Sequence, residues 1–170
     1  MSDQNLEILP ILKPAIETYR YAVTAIRGWP RVSENERQRI TQEFRQTPGQ
    51  TQAHDLIDGQ VDTLKMLSSL TQNCIGTCWE ILVKNRYVTW DYNHPVIQFF
   101  RHIRNGCYHG NCFHFRGDEP IFPAVWQGRR IERYLQGKKI FPESQADQNF
   151  FLNWEEAILL LSEASRILKK

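Results

Sequence analysis

The sequence predicts a mainly α-helical fold, a helical bundle with a short extended or β-hairpin insert before its last helix. Two observations indicate this fold. Apolar residues recur every three or four positions through several long stretches, whereas residues 113–141 combine β-branched and aromatic residues with glycine-containing turns. With 170 residues, 41% of them hydrophobic, the chain is expected to form a single domain over residues 1–170.

The first two predicted helices differ in character. The stretch after Pro14 spaces its apolar residues by three and four and is stopped by Gly28 and Pro30. Residues 33–49 begin with Ser33, a favourable N-cap residue, but carry few apolar side chains. This second stretch is predicted to be either a polar surface helix or a mobile excursion.

The longest helical pattern covers residues 58–87 and predicts the central helix of the bundle. Its apolar positions are Val61, Leu64, Leu67, Leu70, Cys74, Cys78, Ile81 and Leu82. A further helix begins after Asn93, with Pro95 in the first turn, where its missing N–H is harmless, and it is expected to falter at Gly106. The last helix, within residues 151–170, has a broad apolar face and ends in two lysines.

The charge is distributed unevenly. The net charge is only +2, but residues 99–141 carry eight Lys and Arg against three acidic residues. Such a local basic field suits a phosphate-bearing partner, although a solvated surface face is an equally good interpretation. The sequence has neither an apolar run long enough to cross a bilayer nor a secretory signal pattern. We therefore expect a cytoplasmic protein that does not associate with a membrane and whose cysteines are reduced.

The stretch "RHIRNGCYHGNCFHF", residues 101–115, concentrates arginines, histidines and cysteines. Its four zinc-type donors are Cys107, His109, Cys112 and His114. They are crowded into eight residues, whereas structural zinc sites usually join two distant pairs, so we expect no bound metal. A zinc site could also be formed by Cys74 and Cys78 together with one pair of donors from this stretch. These two cysteines fit better as small apolar residues on the buried side of the central helix.

A cysteine nucleophile is a second interpretation of the same stretch, with Cys107 or Cys112 beside a histidine base. Nearby arginines would lower a thiol pKa, but no oxyanion-hole motif or orienting Asn or Asp accompanies the cysteines. The third interpretation starts from Arg104 and His109, which supply a permanently charged fork for a phosphate and a group that transfers protons near neutral pH. Five residues on a continuous helix point such side chains about 140° apart, so Gly106 and Gly110 are expected to bend the chain.

The residues "RNGCYH", in which a polar residue follows the arginine and four residues separate the arginine from the histidine, resemble the signature of the HEPN superfamily (higher eukaryotes and prokaryotes nucleotide-binding domains). Members are helical bundles, generally dimeric, and many are metal-independent ribonucleases of toxin–antitoxin, phage-defence and CRISPR-associated systems. The resemblance implies that Arg104 and His109 are catalytic, that Asn105 orients them or contacts RNA, and that no cofactor is needed. An antitoxin protein is a further partner that it suggests.

The function implied is that of an endoribonuclease acting through the RNA 2′-hydroxyl, with His109 transferring protons and Arg104 stabilising the charge on the phosphate. Because one histidine can hardly serve as both base and acid, we expect a homodimer with a composite active site. Its interface is expected to include Phe99, Phe100 and Ile103 as apolar surface. The alternative function is a non-catalytic HEPN-like module that binds RNA, a nucleotide or a protein.

Further RNA contacts are expected from basic residues outside the motif: Arg101, Arg129, Arg130 and Arg133. With Trp126 and Tyr134, the three later arginines form the mixture of cations and aromatic rings that suits a single strand. An equally good interpretation is a hairpin that packs Trp126 and Tyr134 on the bundle. His102 and His114 are expected at the surface or behind the catalytic pair.

Overall fold

The computed structural model describes residues 8–28, 31–33, 35–36, 38–39, 63–89, 92–144 and 146–169. Over these residues the fold is mainly helical, as the sequence predicts. Its α-helices in these ranges are α1 (Lys13–Gly28), α2 (Thr63–Lys84), α3 (Pro95–Tyr108) and α4 (Trp154–Leu168). The strands β1 (Val125–Trp126) and β2 (Arg129–Arg130) lie before α4, in the predicted insert, and pair antiparallel.

The N-terminal helices agree with the sequence pattern where they are described. A 3₁₀ turn at Pro10–Leu12 leads into α1, which buries Ile16 and Tyr19. At the predicted polar helix, Ser33 Oγ accepts a hydrogen bond from the Glu36 amide at 3.3 Å, as expected of an N-cap. Most of the remainder of that prediction, residues 40–49, lies outside the described residues, as do residues 58–62 at the start of the predicted central helix.

Helix α2 packs against α1, α3 and α4 and forms the centre of the bundle. Its buried side chains include Leu67, Ile75, Trp79 and Leu82. The prediction for the two helical cysteines is confirmed, since Cys74 and Cys78 are 6% and 0% exposed within this core. Their mutual contact and their burial raise the pKa of the Cys78 thiol, which keeps it neutral.

Helix α3 is buried on more sides than the sequence suggested. His94 caps it by accepting the Val96 amide at Nδ1, 3.3 Å away, and the helix then contacts α2, α4 and β1. Because these three elements cover it, Phe99, Phe100 and Ile103 are each 0% exposed. The expectation that they form an apolar dimer surface is therefore wrong, since they lie in the core of their own chain.

The expected faltering of α3 at Gly106 is also wrong. The helix continues to Tyr108, and a side chain at Gly106 would place its Cβ 2.1 Å from Ile140 Cδ1 and 2.8 Å from the Cys112 carbonyl oxygen. The glycine therefore permits close packing of the insert on the helix and does not bend it. The chain turns two residues after the helix ends, at Gly110, whose φ is +70°.

The insert covers α3 and α4 and contributes to the same core. Trp126 on β1 is 1% exposed, lies 5.7 Å from the Phe99 ring, and donates its indole N–H to Glu163 Oε2 at 2.9 Å. The alternative in which the hairpin packs on the bundle is thus realised for Trp126. It is not realised for Tyr134, which is 71% exposed.

Helix α4 closes the bundle and is firmly capped. The Asn153 side chain accepts from the Glu156 amide and the Glu156 carboxylate accepts from the Asn153 amide, both at 2.8 Å, which forms a capping box. The acidic first turn of α4 also holds Glu155 and complements the helix dipole. Within the described residues, none of the helices combines the length and the apolar character needed to cross a bilayer.

Candidate ribonuclease site at the end of α3

Arg104 lies on the side of α3 that faces α2, and its guanidinium is held by several neighbours. It forms an ion pair with Glu80 of α2 and donates to Asn105 Oδ1 at 3.2 Å. The Arg104 side chain is 19% exposed while that of Glu80 is 54% exposed, so the carboxylate reaches the arginine from the solvent side. Asn105 therefore contacts Arg104 directly, and its orienting role stays a prediction.

Tyr108 completes the surroundings of Arg104. It follows Arg104 by four residues, one helical turn, and the guanidinium carbon lies 4.4 Å from the centre of its ring. On α2 the tyrosine meets Gly76, where an added Cβ would lie 2.7 Å from the hydroxyl oxygen. Gly76 thus makes room for the ring, and the ring in turn supports Arg104.

His109 stands at the end of the helix, where it is exposed to solvent. It is the C-cap residue of α3, with φ −109° and ψ 44°, and its backbone N–H donates to the Gly106 carbonyl at 3.0 Å. Its ring stacks on that of His114, with 4.1 Å between ring centres and 28° between planes. Two imidazoles of one chain are therefore neighbours at this site, a pairing that the sequence motif does not contain.

The electrostatics at His109 favour the neutral imidazole. Partial desolvation lowers its pKa from the usual value of a histidine, and the charges of His114, Arg116 and Arg104 lower it further. A neutral imidazole at neutral pH can accept a proton.

The turn that carries His109 and His114 is held in place by hydrogen bonds of Asn111. This residue is 1% exposed and adopts a left-handed φ of +62°. Its side-chain amide donates to the Phe141 carbonyl at 2.7 Å and accepts the Phe141 amide at 3.0 Å, and its own carbonyl accepts the Ile140 amide at 2.9 Å. These bonds anchor residues 111–113 to residues 137–141, so that His114 is presented at a fixed distance from the end of α3.

Two of the predicted RNA-binding arginines form close ion pairs with carboxylates of the same chain. Arg101 is 17% exposed and pairs with Glu119 at 2.6 Å. Arg129 pairs with Glu156 in the first turn of α4 at 2.5 Å. A phosphate would have to displace a carboxylate from each of them.

The other two predicted arginines remain accessible. The side chains of Arg130 and Arg133 are 62% and 65% exposed, and their nearest carboxylates lie at 3.6 Å, on Glu132, and 4.0 Å, on Asp118. Exposed ion pairs at such distances contribute little energy, so a phosphate could readily replace the two carboxylates, although Arg133 also donates a hydrogen bond to the Gly117 carbonyl. With exposed Tyr134 they form a basic surface, but the buried Trp126 takes no part in it.

The donors of the zinc interpretation do not converge. Cys112 lies in an antiparallel bridge with Lys139, and Cys107 faces α2, where burial raises its pKa. Over the ranges that the structure describes, no three His, Cys, Asp or Glu side chains are placed to share a metal ion.

The expectation that His102 lies at the surface is wrong. Its side chain is 1% exposed, and its ring packs edge-on against that of Phe115, with 5.5 Å between ring centres.

Sequence reasoning missed four residues of this site: Glu80, Tyr108, Asn111 and His114 as a direct neighbour of His109. Tyr108 had a signal, because position i+4 from Arg104 shares its helical face. The turn at Gly110 and Asn111 also had a sequence signal, since both residue types tolerate a left-handed backbone conformation. Glu80 had none, because only the packing of α2 on α3 brings it to Arg104.

Comparison of the sequence with models of protein families, with curated proteins and with solved structures found no match. The HEPN assignment therefore stays a prediction that depends on the residues "RNGCYH" and on their helical setting.

Proposed function

We propose that the protein is a metal-independent endoribonuclease of the HEPN type that cleaves RNA through the 2′-hydroxyl. The observation that supports this best is the stacked pair of His109 and His114 at the end of α3, the helix that also carries Arg104. Cleavage by this route needs a base, an acid and a cation for the phosphate. This corner of the molecule has two imidazoles and a guanidinium, which are sufficient for those three tasks.

In the proposed reaction His109, neutral because its pKa is lowered, takes the proton from the 2′-hydroxyl. The 2′-oxygen attacks the adjacent phosphorus, the bond from phosphorus to the 5′-oxygen breaks, and a general acid, assigned to His114, gives a proton to the leaving oxygen. The products are a 2′,3′-cyclic phosphate and a 5′-hydroxyl. Arg104 stabilises the extra negative charge on the phosphate oxygens during the attack.

Glu80 sets a condition on this mechanism. Its carboxylate forms an ion pair with the Arg104 guanidinium, which the phosphate would need to contact. Because the carboxylate is 54% exposed whereas the guanidinium is only 19% exposed, the carboxylate can move into solvent when a phosphate oxygen takes its place at Arg104. In the proposed cycle Glu80 holds Arg104 in place before RNA arrives and releases it to the phosphate.

The proposed partners are RNA, a second copy of the chain and, by the resemblance, an antitoxin protein. A homodimer was expected because a single histidine cannot be both base and acid. His114 supplies a second imidazole within one chain, so proton transfer no longer requires the partner. The homodimer stays a prediction, and its interface has to lie outside the buried Phe99, Phe100 and Ile103.

The same contacts also favour a second candidate, a non-catalytic module that binds RNA, a nucleotide or a protein. Arg104 is paired with Glu80, and His109 caps α3 through its backbone, which gives both residues structural roles. The two candidates differ in whether RNA is cut or only bound.

Product analysis separates these candidates. Pure protein is incubated in EDTA with a single-stranded RNA and with the same RNA carrying a 2′-deoxyribose at the cut position. We expect fragments ending in 2′,3′-cyclic phosphate from the first and no cutting at the modified position in the second. We also expect His114→Ala to slow cleavage while leaving RNA binding in place. RNA that is bound by the wild type but never cut would favour the non-catalytic module.

A further inference from the structure

A cleft of about 290 Å³ opens between α2 and α3 next to the candidate site. Its lining comes from α2 and α3: Ser69, Gln72, Asn73, Cys107 and Tyr108. The volume is at the small end of the range of ligand pockets, roughly 300 to 1,000 Å³. A single flat ring system of one or two rings suits a cleft of this size, whereas a folded protein segment does not.

The cleft and the candidate phosphate site share one groove. On α2 the positions 69, 72, 76 and 80 recur at helical spacing and therefore lie on one face. Along this face the cleft comes first, then Gly76 with Tyr108 packed over it, and then Glu80 with Arg104. Tyr108 belongs to both parts, because it lines the cleft and contacts the Arg104 guanidinium.

The lining is polar but uncharged. Asn73 is exposed, and its amide makes no hydrogen bond to the part of the chain that the structure describes. Gln72 donates its Nε2 to Ser68 Oγ at 3.0 Å, which leaves its carbonyl oxygen as an acceptor. Side-chain amides offer a donor and an acceptor side by side, which matches the edge of a nucleobase.

These observations lead to a specific ligand. We propose that the cleft binds the base of the RNA nucleotide next to the phosphate held by Arg104, and that Gln72 and Asn73 read the edge of that base. This inference rests on the proposed function and adds a base preference to it. Tyr108 supplies the aromatic wall, and contact with an aromatic ring is a common way to hold a base in single-strand binding.

The other parts of RNA fit the cleft less well. A phosphate needs a cation, and none of the lining side chains is charged. The Cys107 thiol stays neutral because burial raises its pKa, so the cleft has no anion that would repel RNA. An apolar ligand would leave the two amides without hydrogen-bond partners, at a cost that disfavours it.

The first test measures binding of the four ribonucleoside 3′-monophosphates to the wild type, Gln72→Ala and Asn73→Ala by isothermal titration calorimetry. Thr77→Ala, an exposed polar change on the same helix outside the cleft, is the matched control. We expect the wild type to prefer one base. Because one hydrogen bond is worth about 1 kcal/mol, either amide variant should reduce that preference roughly fivefold, and the control should not.

The second test measures cleavage of four RNA substrates that differ only in the base beside the cut. We expect the same preference as in binding, and the same loss of preference in both amide variants. Cleavage by the wild type without base preference would overturn the cleft assignment and leave the ribonuclease intact. Base-selective nucleotide binding that depends on Gln72 and Asn73, without any cleavage, would support the cleft and contradict the enzyme. Binding that is equal for all four bases would overturn the inference.

Discussion

The substitution Gly106→Ala tests how α3 positions the site. At Gly106 the chain after the helix packs directly on α3, with Cys112 and Ile140 against the glycine. An added methyl group would lie 2.1 Å from Ile140 Cδ1 and 2.8 Å from the Cys112 carbonyl oxygen. Neither neighbour has room to move, because Ile140 is 0% exposed and the Cys112 backbone is held in its bridge to Lys139.

The expected magnitude combines two opposing contributions. Overpacking a filled core usually costs about 1–3 kcal/mol, and the backbone contact places Gly106→Ala near the upper end. Replacing glycine by alanine inside a helix returns roughly 1 kcal/mol. We therefore expect a net loss of about 2 kcal/mol in the free energy of unfolding, which lowers Tm by roughly 4–8 °C in a protein of this size. The displaced segment 111–114 should also separate His114 from His109 and slow RNA cleavage.

Thermal and urea unfolding of the wild type and variants measure this effect. Gly28→Ala is the control, because nothing lies within 4 Å of its added Cβ, and it should leave Tm unchanged or raise it slightly. In the double variant with Ile140→Val, which removes Cδ1, the loss should be smaller than the sum of the two single losses. A Gly106→Ala protein as stable as Gly28→Ala would refute the close packing of insert and helix.

Three further predictions concern charges. Glu80→Gln removes the carboxylate that pairs with Arg104, so RNA binding measured by fluorescence anisotropy should tighten severalfold. Unchanged affinity would argue against a phosphate at Arg104. Arg104→Lys keeps the charge but loses the bidentate fork, so the initial rate of RNA cleavage should fall strongly, while RNA affinity and the circular dichroism spectrum are largely retained. Full activity would contradict the role assigned to Arg104. His102 is buried, and desolvation and Arg101 lower its pKa to about 4, so it binds a proton more readily in the unfolded chain. The free energy of unfolding should therefore fall between pH 6.5 and 4 by on the order of 3 kcal/mol. Urea unfolding of His102→Phe should show a shallower fall with pH, and an identical slope would show that other groups are responsible.

The helices could be predicted because their signals are local. Apolar spacing gave α1, α2 and α3 near their observed bounds, and Pro95 marked the start of α3. The depth of burial could not be predicted in the same way. Phe99, Phe100 and Ile103 lie on more than one side of α3, and only the arrangement of α2, α4 and β1 around that helix shows that the sides carrying them are covered.

The candidate site could be predicted only as far as its own helix. Arg104 and His109 were found from their spacing, but the contacts of both depend on segments distant in sequence: Glu80 on α2 and the turn that brings His114 back. Gly106 shows the same limit. A glycine in a helical pattern predicts a break when read locally, whereas here it permits tight packing against Ile140.

The most direct test of the account is RNA cleavage in EDTA by the wild type and by His109→Ala, at equal concentration and with circular dichroism as the control for folding. His109 is exposed and caps α3 through its backbone, so the variant should keep its fold. We expect cleavage by the wild type and a loss of about 10²- to 10⁴-fold in the variant, as is typical when a general acid or base is removed. Cleavage at the wild-type rate by a folded His109→Ala protein would contradict the assignment of this histidine as the catalyst.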